Sequence, residues 1–197
     1  MGGASGKTGE QQRSCAALTA AMDRYADGEA DAFGTVYDHL APRLRAFFRR
    51  STRDHASADD LLQQTFVNIH RGRQCFVHGS DVVPWAFAIA RRLLIDSARK
   101  RKREAFLSSS DEETSPLDLS MAEDGSPDEI TWSKELAARA HAELGKLPEG
   151  QREAYELVRG DGLSVSEAAD VLGISGAAVK QRVFRAYEAL RAALARA

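Results

Sequence analysis

Only two cysteines, Cys15 and Cys75, occur in the 197 residues. That is too few for a disulfide framework, and they read as reduced thiols. No apolar run approaches the length needed to cross a bilayer, and the polar first residues carry no signal-peptide core. The chain is therefore expected in the cytoplasm. A glycine-rich phosphate loop and a nucleophile elbow are both missing, which leaves enzymatic chemistry without a motif. Paired acids do occur, at Asp59-Asp60 and at Asp111 to Glu113. The first pair opens a helical pattern and the second sits in a serine-rich stretch, so no catalytic residue is expected. His70, Cys75 and His78 lie close together with His55 upstream, but a tetrahedral site needs a fourth ligand and usually paired Cys or His motifs. These read as packing and surface groups, and no metal or other cofactor is expected. Nothing marks a strand, and no internal repeat is visible.

What remains is a soluble, globular, helical composition, 43% hydrophobic and 28% charged. The net charge of −2 conceals a strong segregation. Residues 1–103 hold 17 Lys and Arg against 11 Asp and Glu, residues 104–133 hold nine acids and no base, and residues 134–197 hold ten bases and nine acids. Basic or near-neutral blocks thus flank an acidic connector, and local charge argues for a nucleic-acid partner where whole-chain charge does not.

Apolar spacing divides the chain further. A Gly/Ser-rich tail, residues 1–28, ends in a short helical pattern from Ser14 to Tyr25. From Asp31 to Arg53, Phe33, Val36, Tyr37, Leu40, Leu44, Phe47 and Phe48 recur at three-to-four spacing, with Pro42 expected to kink or locally break the helix. A second helix is expected over about 57–71, with Ser57 as its N-cap and Asp59 and Asp60 at its positive end. Residues 72–81 form a loop with glycine near both ends, and a helix follows from Val82 to about Arg103, with Pro84 tolerated in its first turn. Residues 104–130 hold serine runs, Pro116, Pro127 and acids without sustained periodicity, and read as a flexible linker. Helices at about 131–145 and 149–159 are separated by a break at Leu147-Pro148.

The last third, Leu163 to Leu194, reads as a short helix, a glycine turn and a longer basic helix. Ser164 or Ser166 can cap the first helix. Ala168, Leu172, Ile174 and Val179 fall where a helix-turn-helix needs small or apolar residues, and Gly173 can take a positive φ in the turn. Val179, Val183, Ala186, Leu190 and Leu194 share one face of the second helix, while Lys180, Gln181, Arg182 and Arg185 lie away from it. Such a helix suits the major groove, where Arg and Gln read base edges. The same spacing also fits an amphipathic hairpin with solvated charges. In the helix 82–103, the run Arg99-Lys100-Arg101-Lys102-Arg103 exceeds what a helix C-terminus needs, and a phosphate backbone would relieve its mutual repulsion. Phe76, Trp85 and Phe87 lie beside it, available either as core or as stacking platforms for unpaired bases.

Three segments taken in order, SADDLLQQTFVNIH (57–70), PWAFAIARRLLIDSARKRKRE (84–104) and LGKLPEGQREAYELVRGDGLSVSEAADVLGISGAAVKQRVFRAYEALR (144–191), resemble a bacterial RNA polymerase sigma factor of the extracytoplasmic-function (ECF) class. The resemblance runs from about Ala30 to Leu194 apart from the linker. It implies an all-α chain of two small helical domains: a tail (1–28), a region 2-like domain (29–103), the acidic linker (104–130) and a region 4-like helix-turn-helix domain (131–197). Asp60, Leu61, Gln63 and Gln64 fall where members dock on the clamp helices of the polymerase largest subunit, with an amide at Gln64 where most carry glutamate. The loop 72–83 resembles the one that accepts a base flipped from the −10 element. The helix after it, with Trp85, Arg91, Arg92 and the tail Arg99, Lys100, Arg101, Lys102 and Arg103, resembles the element that reads and melts that region. Many members carry asparagine at Arg92. Ser175, Lys180, Gln181, Arg182, Phe184 and Arg185 fall on positions that read the −35 element. The linker would thread near the polymerase active site and RNA exit channel.

The implied partners are core RNA polymerase (clamp helices and flap), promoter DNA and an anti-sigma factor that is often membrane-anchored, with no small-molecule substrate. With no long C-terminal sensing extension, control is expected from a separate protein. Two other readings stay open on the residues alone. One is a free-standing helix-turn-helix regulator with residues 30–103 as a sensing or dimerisation domain. The other is an adaptor that docks proteins and never touches DNA.

Overall fold

The computed structural model describes residues 9–52, 54–107, 139–140 and 142–195, and among them there are helices and turns but no strand. The chain divides into two units, Met1–Ser109 and Ser110–Ala197.

The first unit holds α1 (Gly9–Ala26), α2 (Ala32–Ser51), α3 (His55–Gly72) and α4 (Val82–Leu107), with one 3-10 turn, Arg73–Cys75, in the loop after α3. Helix α1 begins earlier than Ser14 and is tied in by Leu18, Ala21, Met22 and Tyr25, all 5% exposed or less. In α2 the apolar stripe is the core stripe: Val36, Leu40, Leu44 and Phe48 are fully buried. Pro42 does not break this helix, which runs unbroken across it. The proline denies the Asp38 carbonyl its donor, but it does so on the exposed side. The buried Leu40, Ala41 and Leu44 hold the helix to the core on either side.

Helix α3 starts two residues ahead of Ser57. Its N-cap is Asp54, in extended backbone (φ −141°, ψ 155°), whose Oδ1 accepts from the Ser57 N–H at 2.7 Å and whose Oδ2 accepts from the Ser57 hydroxyl at 2.8 Å. These bonds, with help from the Arg101 charge, hold the Asp54 carboxyl below its ordinary pKa. Met22, Leu40, Leu44, Phe48, Ile69, Val82 and Phe87 form the centre of the unit.

Helix α4 runs to Leu107, so residues 104–107 of the expected linker are helical and residues 108–130 lie outside the described residues. The five cations at 99–103 therefore sit within the helix rather than in its last turn, which has no basic residue. A macrodipole cap does not account for them.

In the second unit, residues 139–140 and 142–146 are helical and are termed α5; the rest of the helix expected at 131–145 lies outside the described residues. Helix α6 (Glu149–Tyr155) widens into a π turn, Glu156–Gly160, and is followed by α7 (Val165–Leu172) and α8 (Gly176–Leu194). Ser164, not Ser166, caps α7 in a capping box: its Oγ accepts from the Glu167 N–H at 3.2 Å and Glu167 Oε2 accepts from the Ser164 N–H at 2.6 Å. Gly173 turns the chain at φ 64°, ψ 36°, where a Cβ would be strained. Ala154, Leu157, Leu163, Ala168, Val171, Val179, Ala186 and Leu190 make the core of this unit.

Candidate polymerase and nucleic-acid interfaces

Four surfaces carry the candidate residues. On α3, Asp60, Gln63 and Gln64 are exposed, as their three-to-four spacing requires once Leu62 and Phe66 face inward. Leu61 is not on that surface. It is 5% exposed and packs into the core, so little of its side chain reaches the surface that Asp60, Gln63 and Gln64 share.

Gln63 lines an open groove of about 870 Å³ between α2 and α3, with Phe33, Tyr37, Leu62, Phe66 and Val67 as its apolar floor. Tyr37 packs on Phe66 at 4.6 Å and Phe33 meets Phe66 edge-on at 6.0 Å, so the floor is a braced aromatic layer. Arg45 and Asp59 pair across its rim at 3.5 Å. At one end the Tyr25 hydroxyl shares a 2.5 Å hydrogen bond with His70 Nδ1 beneath Arg73, whose guanidinium lies 5.5 Å from the Tyr25 ring. Burial pushes the Tyr25 phenol above its ordinary pKa, against the pull of Arg73.

The second surface is the loop between α3 and α4. Phe76 is buried and meets half-buried Trp85 edge-on at 5.1 Å, while Val77 beside it is 70% exposed. Trp85 is thus partly a packing residue, with part of its ring at the surface. Two of the histidines near Cys75 are engaged separately: His70 with Tyr25, and His78 Nε2 with Asp27 Oδ1 at 3.0 Å. Among the described residues no cluster of three or more His, Cys, Asp or Glu is placed to hold an ion.

The third surface is α4. Arg91 is half-buried, and Arg92, Arg99, Lys100, Arg101, Lys102 and Arg103 are exposed. The ion pair of Lys100 with Glu104, at 3.8 Å, is a loose i,i+4 contact worth a fraction of a kcal/mol, about 0.3–0.5. The tail remains a strongly positive surface.

The fourth is α8. Ser175 is its N-cap, its Oγ accepting from the Ala178 N–H at 3.2 Å, so this residue starts the helix as well as standing at the end that would enter a groove. Lys180, Gln181, Phe184 and Arg185 are exposed on the outward face, Phe184 at 64%, and Tyr187 one turn on is 51% exposed. Arg182 departs from the expected pattern. It is half-buried, and its guanidinium lies over α6 so closely that a Cβ on Gly150 would stand 3.0 Å from Nη1. The missing side chain at Gly150 makes room for it.

Comparison with known proteins agrees with this geometry. Residues 36–104 match the family model for sigma-70 region 2, and residues 137–190 match that for sigma-70 region 4. The chain is 33% identical to the RNA polymerase sigma factor CarQ of Myxococcus xanthus over 86% of its own length and 93% of that protein's. This chain belongs to the ECF sigma factors. It is also 33% identical to the ECF sigma factor SigF of Caulobacter vibrioides, across 91% of this sigma factor and 95% of that one. Among solved structures it resembles the sigma factor RpoE of Bartonella quintana in complex with the anti-sigma factor NepR. That match has 30% identity and a TM-score of 0.68, covering 82% of this sigma factor and 96% of RpoE. It also resembles CnrH in complex with the cytosolic domain of CnrY, with 29% identity and a TM-score of 0.67, covering 90% and 97%. The sigma factor is all-α, with its two family regions in separate helical units. No helix among its described residues is long and apolar enough to cross a membrane.

Proposed function

We propose that this sigma factor binds core RNA polymerase in the cytoplasm and directs it to promoters defined by −10 and −35 elements, performing no bond chemistry of its own. The observation that carries the reading is the outward face of α8. Lys180, Gln181, Phe184 and Arg185 are all exposed on a helix held from behind by Val179, Ala186 and Leu190. A helix of that make presents bidentate donors and an apolar side chain to base edges in the major groove. Arg182, drawn back over Gly150, is placed to support α8 more than to read a base.

On the first unit, Asp60, Gln63 and Gln64 beside the aromatic groove are the polymerase-docking surface. The loop 72–83 and α4 engage the −10 region, the tail cations through phosphates. Opening the duplex then runs on binding energy, as captured unpaired bases offset the cost of unstacking. Control by an anti-sigma partner is supported by RpoE, whose structure was solved with one.

The roles separate in one experiment, co-elution with core polymerase followed by promoter binding. Changing Gln63 and Gln64 together to arginine abolishes co-elution with core. Arg185→Ala co-elutes normally and loses the −35 preference. Loss of co-elution in Arg185→Ala overturns the assignment.

A further inference from the structure

The loop between α3 and α4 is fastened to α1 by contacts that leave one apolar side chain outward. The Gly79 N–H donates to Asp23 Oδ1 at 3.0 Å, and His78 Nε2–H donates to Asp27 Oδ1 at 3.0 Å. Asp23 lies in the last turn of α1 and Asp27 just past its end, where the Asp27 N–H donates to the Asp23 carbonyl at 3.0 Å, so the two carboxylates stand one helical turn apart. Further along, the Cys15 thiol donates to Asp81 Oδ1 at 3.4 Å. Gly79 sits at φ +76°, a conformation an L side chain rarely adopts, so the turn that offers its N–H to Asp23 depends on glycine. Phe76 anchors the other side of the loop beneath Trp85. Val77 lies between these anchors and is 70% exposed.

Two facts argue that the carboxylates serve the loop and not α1 or DNA. Helix α1 is already held by Leu18, Ala21, Met22 and Tyr25, all buried, so it does not need Asp23 and Asp27 to stay in place. Carboxylates beside a surface meant for nucleic acid also repel phosphate, so they are poor direct contacts there. What they do supply is order. A free loop would lose conformational entropy each time it closed on a base, and a loop already tied at His78 and Gly79 loses much less.

We propose that Asp23 and Asp27 are positioning residues that hold residues 76–81 ready to receive an unpaired −10 base, with Val77 as the apolar surface it meets. The proposal rests on the reading of this loop as a −10 contact. It is tested with holoenzyme by run-off transcription from the cognate promoter and from fragments carrying single base changes at −10 or, separately, at −35. The readout is the cognate-to-substituted ratio, which does not depend on how much of a variant is folded.

Asp23→Ala and Asp27→Ala should each lower the −10 ratio about two- to tenfold, the scale of one lost hydrogen bond, and leave the −35 ratio unchanged. Asp23→Asn keeps an oxygen acceptor for Gly79 and should restore most of the −10 ratio. Unchanged −10 ratios in both alanine variants, or an equal fall at −35, overturn the positioning role while the −10 reading stands. A wild-type protein that does not discriminate at −10 overturns the reading and the positioning role together.

Discussion

Arg182 and Arg185 are three positions apart on α8, and replacing each with alanine should have opposite consequences. Arg185 is exposed on the outward face next to Phe184, so its removal should change stability by no more than about 0.5 kcal/mol. If it reads a base edge, the variant loses about 1–3 kcal/mol of −35 affinity, confined to the base it contacts. At 1.4 kcal/mol per factor of ten, that is about 5- to 150-fold. Arg182 packs its guanidinium against α6 at Gly150, so Arg182→Ala removes contact area between α6 and α8. It should lower stability by about 1 kcal/mol, an ordinary cost for a packing residue, and weaken all −35 sequences alike. Thermal unfolding of both variants, with holoenzyme binding to a −35 fragment series by fluorescence anisotropy, separates the two patterns. The reasoning fails if Arg185→Ala lowers the melting midpoint markedly or weakens every sequence equally. It also fails if Arg182→Ala melts normally and relaxes a single base.

Ser164→Ala should cost about 1 kcal/mol, because it removes the acceptor that satisfies the first turn of α7, and chemical denaturation of the protein reads that loss. The Asp54 carboxyl has a folded-state pKa below its ordinary 3.8, so its contribution to stability is present above that value and is lost as the pH falls through the lower folded value. Asp54→Asn should flatten the stability–pH curve in that acid window, as followed by helical circular dichroism. Leu61→Ala should destabilise the first unit by about 2–5 kcal/mol, since the side chain is buried, and polymerase binding should fall only with the folded fraction. A folded Leu61→Ala that fails to bind core would return this residue to the docking surface.

How far each feature was legible in the sequence follows from how local it is. The α2 core could be read from the spacing of Val36, Leu40, Leu44 and Phe48, because a buried stripe on a helix repeats at a fixed period. The helix-turn-helix was equally plain, since Ser164, Gly173 and Ser175 act within three or four residues of themselves. Caps were harder to place. Asp54 and Ser57 are both good acceptors, and only the extended backbone at Asp54 decides which one begins α3. At Pro42 the sequence names the missing donor but not the buried neighbours that keep the helix from breaking.

Side-chain direction was the least legible. Arg182 looks like Arg185 in any helical projection, and only the bare Gly150 on another helix shows where its guanidinium rests. The motif groups Leu61 with exposed neighbours, whereas its side chain is 5% exposed and packs into the core. The bonds to the loop from Asp23 in α1 and from Asp27 just past it join residues 56 and 51 apart in sequence, a separation at which no pattern of spacing speaks.

The central claim is that this chain converts core polymerase into a promoter-selective enzyme. Run-off transcription with purified bacterial core polymerase and genomic promoter fragments, with and without the protein, tests it directly. The account predicts discrete transcripts that appear only when the protein is added, from promoters sharing −10 and −35 elements. Core polymerase that ignores the protein, while the protein alone shifts duplex DNA, would contradict it.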